Sequence, residues 1–349
     1  MKQDQPIISS ESSAADQEVT DELNDELTEL AEAQSETESR ALAFSPRHHG
    51  LRLDQALVEL VPEFSRSYLQ QLIEGGAVTL QGRVLHKAST RVKAGEHGRI
   101  ELRPTVQSQA FKPELIPLTL VFSDAHLLVI NKPAGLVVHP APGNWSGTLL
   151  NALLAHDSYA ATLPRAGIVH RLDKNTTGLM AVARTRPVMD ALVQAIAART
   201  VSRQYLALVQ RPWEGPQSRD IEAPIGRDPR NRLRMAVVDL ARSAGKAAKT
   251  SVRMIDSAAG GALVRCTLHT GRTHQIRVHM ASIGCPLVGD TLYGGVLDKD
   301  VSRQALHACR LAFTHPATGA ELAFHAPVPE DMRSALRARS LSYNEDTLP

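Results

Sequence analysis

A carboxylate between two cations is the chemical feature that stands out in this chain. Asp173 lies between Arg171 and Lys174 in a polar turn that joins two short apolar stretches, residues 167–169 and 179–182. Positive charges on both sides favour the ionised form of a carboxyl group. Such a group acts as a nucleophile or a counter-ion rather than as a proton donor. The sequence therefore predicts an ionised Asp173 with a chemical role.

A second polar stretch covers residues 268–280 and is rich in histidine. His269, His274 and His279 recur every five residues, and that spacing does not place them on one face of a helix. The sequence contains no HExxH motif, and no acidic residue lies within the stretch, so we expect no metal site. Residues 270–273 lead into a predicted helix N-terminus, which favours an anion such as a backbone phosphate.

Composition separates an acidic end of the chain from a basic remainder. The first 42 of the 349 residues hold 12 acidic and 2 basic side chains, net −10, and the rest carries net +12. A basic globular part favours a polyanionic partner such as RNA. The three cysteines are widely spaced, and no apolar run is long enough to cross a membrane. We therefore expect a cytoplasmic protein with reduced cysteines, no membrane association and no metal or organic cofactor.

Strands that pair in hairpins, with few helices between them, are the predicted framework around Asp173. Strand patterns occur at residues 118–122, 127–130, 204–209, 262–268, 311–313 and 322–324. A helix is predicted from residue 273, with Ile276 and Met280 on one face, and it ends at Gly284. This arrangement indicates an α+β domain over residues 118–340 with a mainly antiparallel mixed sheet.

Residues 50–103 predict a separate, small α/β domain. Apolar residues repeat at helical spacing over 53–60, and Ser65 is a candidate cap for a second helix that stops at residues 75–76. A strand at 78–80 and a turn at 81–82 follow. The pattern resembles the S4 RNA-binding domain. That resemblance implies contacts to RNA from a set of cations and one aromatic ring: Arg66, Tyr68, Arg83, Lys87 and Arg91.

The remaining segments carry little pattern. Residues 1–45 predict a disordered acidic tail, 104–117 a proline-containing linker, and 341–349 a C-terminal tail. Residues 226–250 are basic and weakly patterned, which is typical of a mobile loop that clamps RNA. Arg232 and Arg234 are the candidate contacts in that loop.

Three stretches, residues 164–180, 270–280 and 286–294, closely resemble the RluA/RluD group of pseudouridine synthases. The resemblance extends from residue 51 to residue 332 and implies a catalytic domain with an S4 appendage and no cofactor. Asp173 matches the catalytic residue of that group. The implied substrate is 23S ribosomal RNA, free or in an assembling large ribosomal subunit, with uridines of the helix 69 stem-loop as the target of RluD-type members. The implied enzyme is a monomer.

The same resemblance implies roles for residues around the carboxylate. Arg171 helps to turn the target nucleotide out of the RNA, a required step because a glycosidic bond is inaccessible within stacked bases. Tyr205 stacks on the uracil and is a candidate to take its C5 proton. Arg277 pairs with the catalytic carboxylate, Ile276 lines the uracil pocket, and Arg272 is a candidate contact to the RNA backbone.

Two other functions fit parts of the sequence. An S4-bearing RNA-binding protein without catalysis explains the basic charge, but it does not need Asp173, Tyr205 and Arg277 together. An aspartyl-phosphate enzyme would use the stretch 173–178, but its chemistry needs Mg²⁺ and further acidic ligands. The predicted fold also lacks the parallel α/β arrangement. We therefore expect an RNA pseudouridine synthase.

Overall fold

The computed structural model describes residues 38–102, 110–141, 143–231 and 233–343. Most of the predicted acidic tail, the first six of the fourteen linker residues, most of the C-terminal tail and Arg232 lie outside these ranges. The chain divides into two compact units, Met1–Lys112 and Pro113–Pro349. Within the described ranges, no helix has the length and apolar character needed to cross a membrane.

The described part of the first unit contains four strands and two α-helices. The strands are β1 (Glu38–Ala43), β2 (Val78–Leu80), β3 (Arg83–Leu85) and β4 (His97–Leu102), and the helices are α1 (Leu53–Leu60) and α2 (Arg66–Glu74). The strands form an antiparallel sheet in the order β1-β4-β2-β3. Both helices bury their apolar faces in one core with this sheet. The Ser65 hydroxyl accepts from the Tyr68 backbone N–H at 3.3 Å, so the predicted cap is confirmed.

The prediction of disorder up to residue 45 is wrong for its last residues. β1 pairs antiparallel with β4 over its whole length of six residues. Leu42 and Phe44 alternate onto one face and are buried in the core of the first unit. A composition criterion averages over the acidic stretch and therefore misses this short apolar alternation.

A two-residue turn joins β2 and β3, as the sequence predicts. Gln81 and Gly82 have φ angles of 49° and 75°, the left-handed pair that such a hairpin turn requires. Gly82 adopts this conformation without steric cost, whereas Gln81 carries a side chain in a region that few non-glycine residues occupy.

Twelve strands lie in the described residues of the second unit. They are β5 (Thr119–Ser123), β6 (Leu127–Lys132), β7 (Thr177–Ala183), β8 (Ser202–Val209), β9 (Ser218–Glu222), β10 (Ile225–Arg227), β11 (Met235–Val237), β12 (Gly245–Lys246), β13 (Lys249–Ala258), β14 (Gly261–Leu268), β15 (Leu306–Thr314) and β16 (Glu321–His325). Nine of them form one sheet in the order β5-β6-β7-β15-β8-β14-β13-β9, with β16 beside β15. Among the described strands, only β7 and β15 pair in parallel. The predicted α+β fold with a mainly antiparallel mixed sheet is confirmed.

Four helices accompany these strands: α3 (Leu149–His156), α4 (Arg186–Ala197), α5 (Gln275–Ser282) and α6 (Glu330–Ala338). The N-terminus of α3 has a capping box, in which the Asn151 amide oxygen accepts from the Thr148 backbone N–H at 3.0 Å. α4 packs Val188 and Leu192 into a core shared with β7 and β15. α5 begins at Gln275, two residues later than predicted.

The prediction of a mobile loop at residues 226–250 is wrong for the parts of this segment that pair as strands. β10, β11 and β12 form a small antiparallel sheet in the order β11-β10-β12. Ile225, Val278 and Tyr293 are buried beneath it, with Met235 packed against them. These strands are three residues long or shorter, so their pairing depends on this apolar contact rather than on a pattern visible in the sequence.

The parallel junction of β7 and β15 lies directly after the turn that carries Asp173. Gly178 lies opposite Ala308, and a Cβ atom at Gly178 would be 2.2 Å from the Ala308 carbonyl oxygen. Beside it, the Thr177 hydroxyl lies 2.8 Å from Nδ1 of buried His307. The junction therefore requires a glycine and fixes the C-terminal end of the Asp173 turn.

Candidate active site

A cleft of about 340 Å³ opens in the second unit. Its walls come from the turn before β7, the C-terminal end of α4, strand β8, and the loop that joins β14 to α5. Six residues that the sequence predicts for the site line it together: Arg171, Asp173, Tyr205, Arg272, Ile276 and Arg277. Among the described residues of the lining, Asp173 is the only carboxylate, and five arginines surround the space: Arg171, Arg199, Arg203, Arg272 and Arg277.

Asp173 and Arg277 form an ion pair at one wall of the cleft. Nη1 of Arg277 donates to Oδ2 of Asp173 at 3.1 Å, although the two residues are 104 positions apart in the chain. The other edge of the guanidinium donates to Asp290 twice, from Nε at 2.7 Å and from Nη2 at 2.8 Å. The guanidinium carbon lies 4.8 Å from the centre of the Tyr293 ring. Two carboxylates and a ring thus fix the plane of this guanidinium.

These contacts keep Arg277 charged although it is buried. Burial by itself lowers the pKa of an arginine, but the hydrogen bonds and charge of Asp290, together with those of Asp173, outweigh that effect and raise it above the ordinary value. The Arg277 side chain is 8% exposed and that of Asp173 is 16% exposed. Asp173 is therefore the partner that faces the open part of the cleft.

A neutral histidine lies on the other side of the carboxylate. Nδ1 of His274 is 2.7 Å from the Tyr293 hydroxyl, which also accepts from the Met235 backbone N–H at 2.9 Å. The Tyr293 hydroxyl thus holds one nitrogen of the imidazole ring, and Nε2 is the other. That atom is 3.9 Å from Oδ1 of Asp173. Burial lowers the pKa of His274, more than the nearby Asp173 raises it.

The loop between β14 and α5 is held by the amide group of Gln275. Its oxygen accepts from the Thr270 hydroxyl at 2.7 Å and from the Arg272 backbone N–H at 3.0 Å. Its nitrogen donates to the Lys249 carbonyl oxygen at 3.0 Å and to the Thr250 hydroxyl oxygen at 2.9 Å. Every hydrogen-bonding position of the amide is engaged, so the loop is fixed to β13. Arg272 lies exposed at the rim of the cleft.

The buried ammonium group of Lys132 supports the Asp173 turn from below. It donates at 2.9 Å to three backbone carbonyl oxygens, those of Pro133, Leu136 and Lys174. Because Lys174 follows Asp173, this bond anchors the turn to the end of β6. Burial lowers the pKa of Lys132 to about 7.

His170 and Tyr205 form the floor of the cleft. Nε2 of His170 accepts from the Ala181 backbone N–H at 3.0 Å, so the histidine packs against the backbone of β7. Burial lowers its pKa to about 3. Tyr205 is 5% exposed, and burial raises its pKa to about 12. The phenol is therefore neutral at physiological pH and presents its ring to the cleft.

The residues of the first unit that are predicted to contact RNA differ in the contacts that their side chains make within the protein. Arg66 donates to the buried Asp54 carboxylate from Nε at 3.1 Å and Nη2 at 2.8 Å, and Tyr68 stacks on Phe64 with ring centres 5.1 Å apart. Both therefore also stabilise the fold of this unit. The other predicted cations are exposed: Arg83, Lys87 and Arg91.

Arg234, which the sequence predicts as an RNA contact, does not line the cleft. Its Nε atom lies 3.0 Å from Oδ2 of Asp228, and its guanidinium carbon is 5.4 Å from the centre of the Tyr293 ring. It thus packs on the tyrosine that also contacts Arg277.

Sequence reasoning missed several residues that build the site. Asp290 and Tyr293 fix Arg277, Gln275 fixes the loop, and Arg203 lines the cleft beside Tyr205. A signal for the first two existed, because both lie in the stretch 286–294 that resembles the pseudouridine synthase signature. No group of three or more histidine, cysteine, aspartate or glutamate side chains within the described ranges is arranged to hold a metal ion.

Comparison with known protein families finds a matching family model for each of the two units. The model of the RNA pseudouridylate synthase family matches residues 126–282, and that of the S4 domain matches residues 51–97. The ribosomal large subunit pseudouridine synthase D of Neisseria meningitidis serogroup A is 45% identical over 327 residues, which cover 90% of this chain and 85% of that protein. The protein of the same name from Nitrosomonas europaea is 47% identical over 309 residues, which cover 86% of this chain and 88% of that protein.

A solved structure shows the same architecture. The human protein named RNA pseudouridylate synthase domain containing 4 superposes with a TM-score of 0.51 at 26% identity, covering 64% of this chain and 94% of that one. The expected enzyme class and the expected S4 domain are thereby confirmed, in preference to a non-catalytic RNA-binding protein. The chain therefore belongs to the RNA pseudouridylate synthase family, and it is an isomerase acting on RNA that carries an S4 domain ahead of its synthase unit.

Proposed function

We propose that this enzyme converts uridines of the large-subunit ribosomal RNA to pseudouridine, with Asp173 as the catalytic residue and the helix 69 stem-loop of 23S RNA as the target. The observation that carries the proposal is the position of Asp173, the sole carboxylate among the described residues of an arginine-lined cleft, held by Arg277 at 3.1 Å. The names of the similar bacterial proteins support a ribosomal substrate.

The reaction is an isomerisation that exchanges one bond to the sugar. The N1–C1′ bond of uridine breaks, the uracil turns over, and a C5–C1′ bond forms. The proton on C5 is released and N1 gains one, so no atom or electron is lost overall. A carboxylate assists departure of the base by attack on C1′ or by removal of the C2′ proton, and either route begins from an anionic Asp173.

The surrounding residues prepare this step. Arg277 orients the carboxylate, and the neutral His274 on its other side adds no second charge that would compete for it. The Tyr205 ring supports the uracil, and Ile276 closes the apolar side of the pocket. Tyr205 enters the reaction as a neutral phenol, because its pKa is raised to about 12 by burial.

Access to the glycosidic bond requires the nucleotide to leave its stack. Arg171 is exposed and lines the cleft within two residues of Asp173. From there it fills the space that the displaced base leaves in the RNA. The exposed cations of the first unit, Arg83, Lys87 and Arg91, bind flanking RNA through its phosphates.

The enzyme acts as a monomer in the cytoplasm, where bacterial ribosomal RNA is made and assembled.

Replacement of Asp173 tests the proposed chemistry. Asp173→Asn keeps the size of the side chain and a hydrogen-bond acceptor for Arg277 but removes the anion. We expect tritium release from C5-labelled ribosomal RNA to fall by at least about 1,000-fold, because both routes need the carboxylate. RNA affinity is expected to stay within a few-fold of that of the wild type.

Asp190→Asn is the matched control, since Asp190 pairs with Arg186 on the exposed face of α4 outside the cleft. It is expected to leave tritium release unchanged. Activity retained by the Asp173 variant would refute the role of this residue. A map of pseudouridines in ribosomal RNA from cells with and without the enzyme tests the target, and an unaltered helix 69 would refute that assignment alone.

A further inference from the structure

A buried arginine without a counter-ion lies inside the cleft and is not used by the reaction described above. Arg203 is 6% exposed and lines the cleft with Asp173 and Tyr205. Within the described part of the chain no carboxylate pairs with it, and its Nε atom is buried without a hydrogen-bond partner. The guanidinium packs against Gly271, where a Cβ atom would be 3.0 Å from Nη1.

Such an arrangement is unfavourable in the free protein. Burial of a charge without a partner costs several kcal/mol, because the lost hydration is not replaced. The nearest functional groups do not replace it: His170 is neutral, and Tyr205 keeps its proton. Every other arginine that lines the cleft adds to the positive charge. The environment is therefore complementary to an anion that is absent from the free enzyme.

We infer that Arg203 binds a phosphate of the RNA, one of the two phosphates attached to the flipped uridine. This subsite rests on the proposed function and adds a ligand group to it. A uracil carbonyl would satisfy an N–H group but would leave the charge unpaired, whereas a phosphate supplies both charge and a bidentate acceptor.

The position of Arg203 on β8 fits this role. Arg203 and Tyr205 are two positions apart on one strand, so their side chains project from the same face at a spacing of about 7 Å. That spacing is comparable with the separation of base and phosphate in one nucleotide. A uracil on the Tyr205 ring thus brings its own phosphate to the guanidinium.

The first test uses inorganic phosphate as the probe and the full-length enzyme without RNA. Arg203→Met removes the charge but retains an unbranched apolar side chain. Thermal unfolding is measured in phosphate and in sodium chloride of equal ionic strength. We expect phosphate to raise the Tm of the wild type and to raise that of the variant clearly less. Without phosphate, the variant is expected to be at least as stable as the wild type, because an unpaired buried charge is gone.

The second test measures the affinity for a 23S RNA stem-loop over a range of salt concentrations. Loss of one phosphate contact reduces the slope of log Kd against log salt by about 0.7 for single-stranded RNA. The variant is expected to bind about 10- to 100-fold more weakly at low salt, with KM raised and kcat within a few-fold of that of the wild type.

Arg219→Met is the control for both tests, since Arg219 is exposed on β9 and does not line the cleft. It is expected to match the wild type in phosphate shift and in slope. An equal phosphate shift or an unchanged slope in the Arg203 variant overturns the inference, and Arg203→Gln gives the same comparison if the methionine variant does not fold. Failure of the proposed substrate shows differently, as missing pseudouridine in RNA treated with the wild type, whereas the phosphate shift needs no turnover.

Discussion

At the scale of single residues, the site consists of three charged side chains, Asp290, Arg277 and Asp173, that are linked in this order by hydrogen bonds. Asp290 holds Arg277 by two hydrogen bonds, and Arg277 holds Asp173 by one. Asp290 is 2% exposed, so its negative charge interacts only with groups inside the protein. Asp173 has one oxygen on Arg277 and the other 3.9 Å from Nε2 of His274, and its side chain is 16% exposed, so it is the carboxylate that remains accessible from the cleft.

Asp290→Asn tests whether the second carboxylate positions the first. The amide can accept only one of the two bonds from Arg277, so the guanidinium loses its fixed plane and Asp173 loses its orientation. We expect kcat/KM to fall about 10- to 100-fold, as for other positioning partners of a reactive group. The measurement is tritium release, with stability followed by urea unfolding.

Asp298→Asn is the control for that experiment, because it weakens a partly buried ion pair, with Arg339, outside the cleft. It is expected to lower stability but not kcat/KM. Equal kinetics in the two variants would show that Asp290 serves only the stability of the fold.

The sequence predicts some of these residues and not others, for a physical reason. Asp173, Tyr205 and Arg277 are residues with reactive or charged side chains that lie in recognisable sequence motifs. The structure brings all three into one cleft. Asp290 takes part in the site only through Arg277, and the folded chain creates that pairing. Burial without a partner, which distinguishes Arg203, is a property of the packed molecule and leaves no mark on local sequence.

At the scale of elements, the junction of β7 and β15 positions the Asp173 turn. Gly178→Ala places a methyl group 2.2 Å from the Ala308 carbonyl oxygen, at a φ of 115°. We expect a loss of at least about 3 kcal/mol of stability, because both backbone clash and an unfavourable φ oppose it. Urea unfolding measures the loss, and kcat is expected to fall with it.

Gly319→Ala separates the two causes, since Gly319 has a φ of 74° and open space around it. That variant is expected to lose only about 1 kcal/mol. A similar loss in both variants would mean that the junction can relax to admit a methyl group.

Prediction of elements succeeds where the element carries its own pattern. The hairpin of β15 and β16 and the helix capped by Ser65 follow from apolar alternation and from a capping residue. β1 follows directly on the acidic stretch, and β10, β11 and β12 have at most three residues each. Their local sequence therefore resembles that of loops.

At the scale of the whole molecule, the function that we propose requires both units to bind RNA. Replacing the exposed cations of the first unit together, Arg83→Gln, Lys87→Gln and Arg91→Gln, removes up to three phosphate contacts but leaves the cleft intact. We expect KM to rise at least about 10-fold and kcat to stay within a few-fold of that of the wild type. Steady-state kinetics on 23S RNA measures both.

A triple variant of the second unit, Arg186→Gln, Arg333→Gln and Arg337→Gln, is the control, because it removes the same charge from exposed helices outside the cleft. Its KM is expected to stay near that of the wild type. Equal increases in KM for both variants would mean that net charge, rather than the S4 surface, determines RNA affinity.

The bond between Thr177 and His307 joins positions 130 residues apart in the chain. Closing so long a loop has a high entropic cost, so contacts between residues that are far apart in the sequence form late in folding. During synthesis, β15, the strand that carries His307, leaves the ribosome long after the Asp173 turn. The first unit, in contrast, is complete within the first third of translation. The nascent polypeptide thus acquires its RNA-binding surface first and its catalytic competence last.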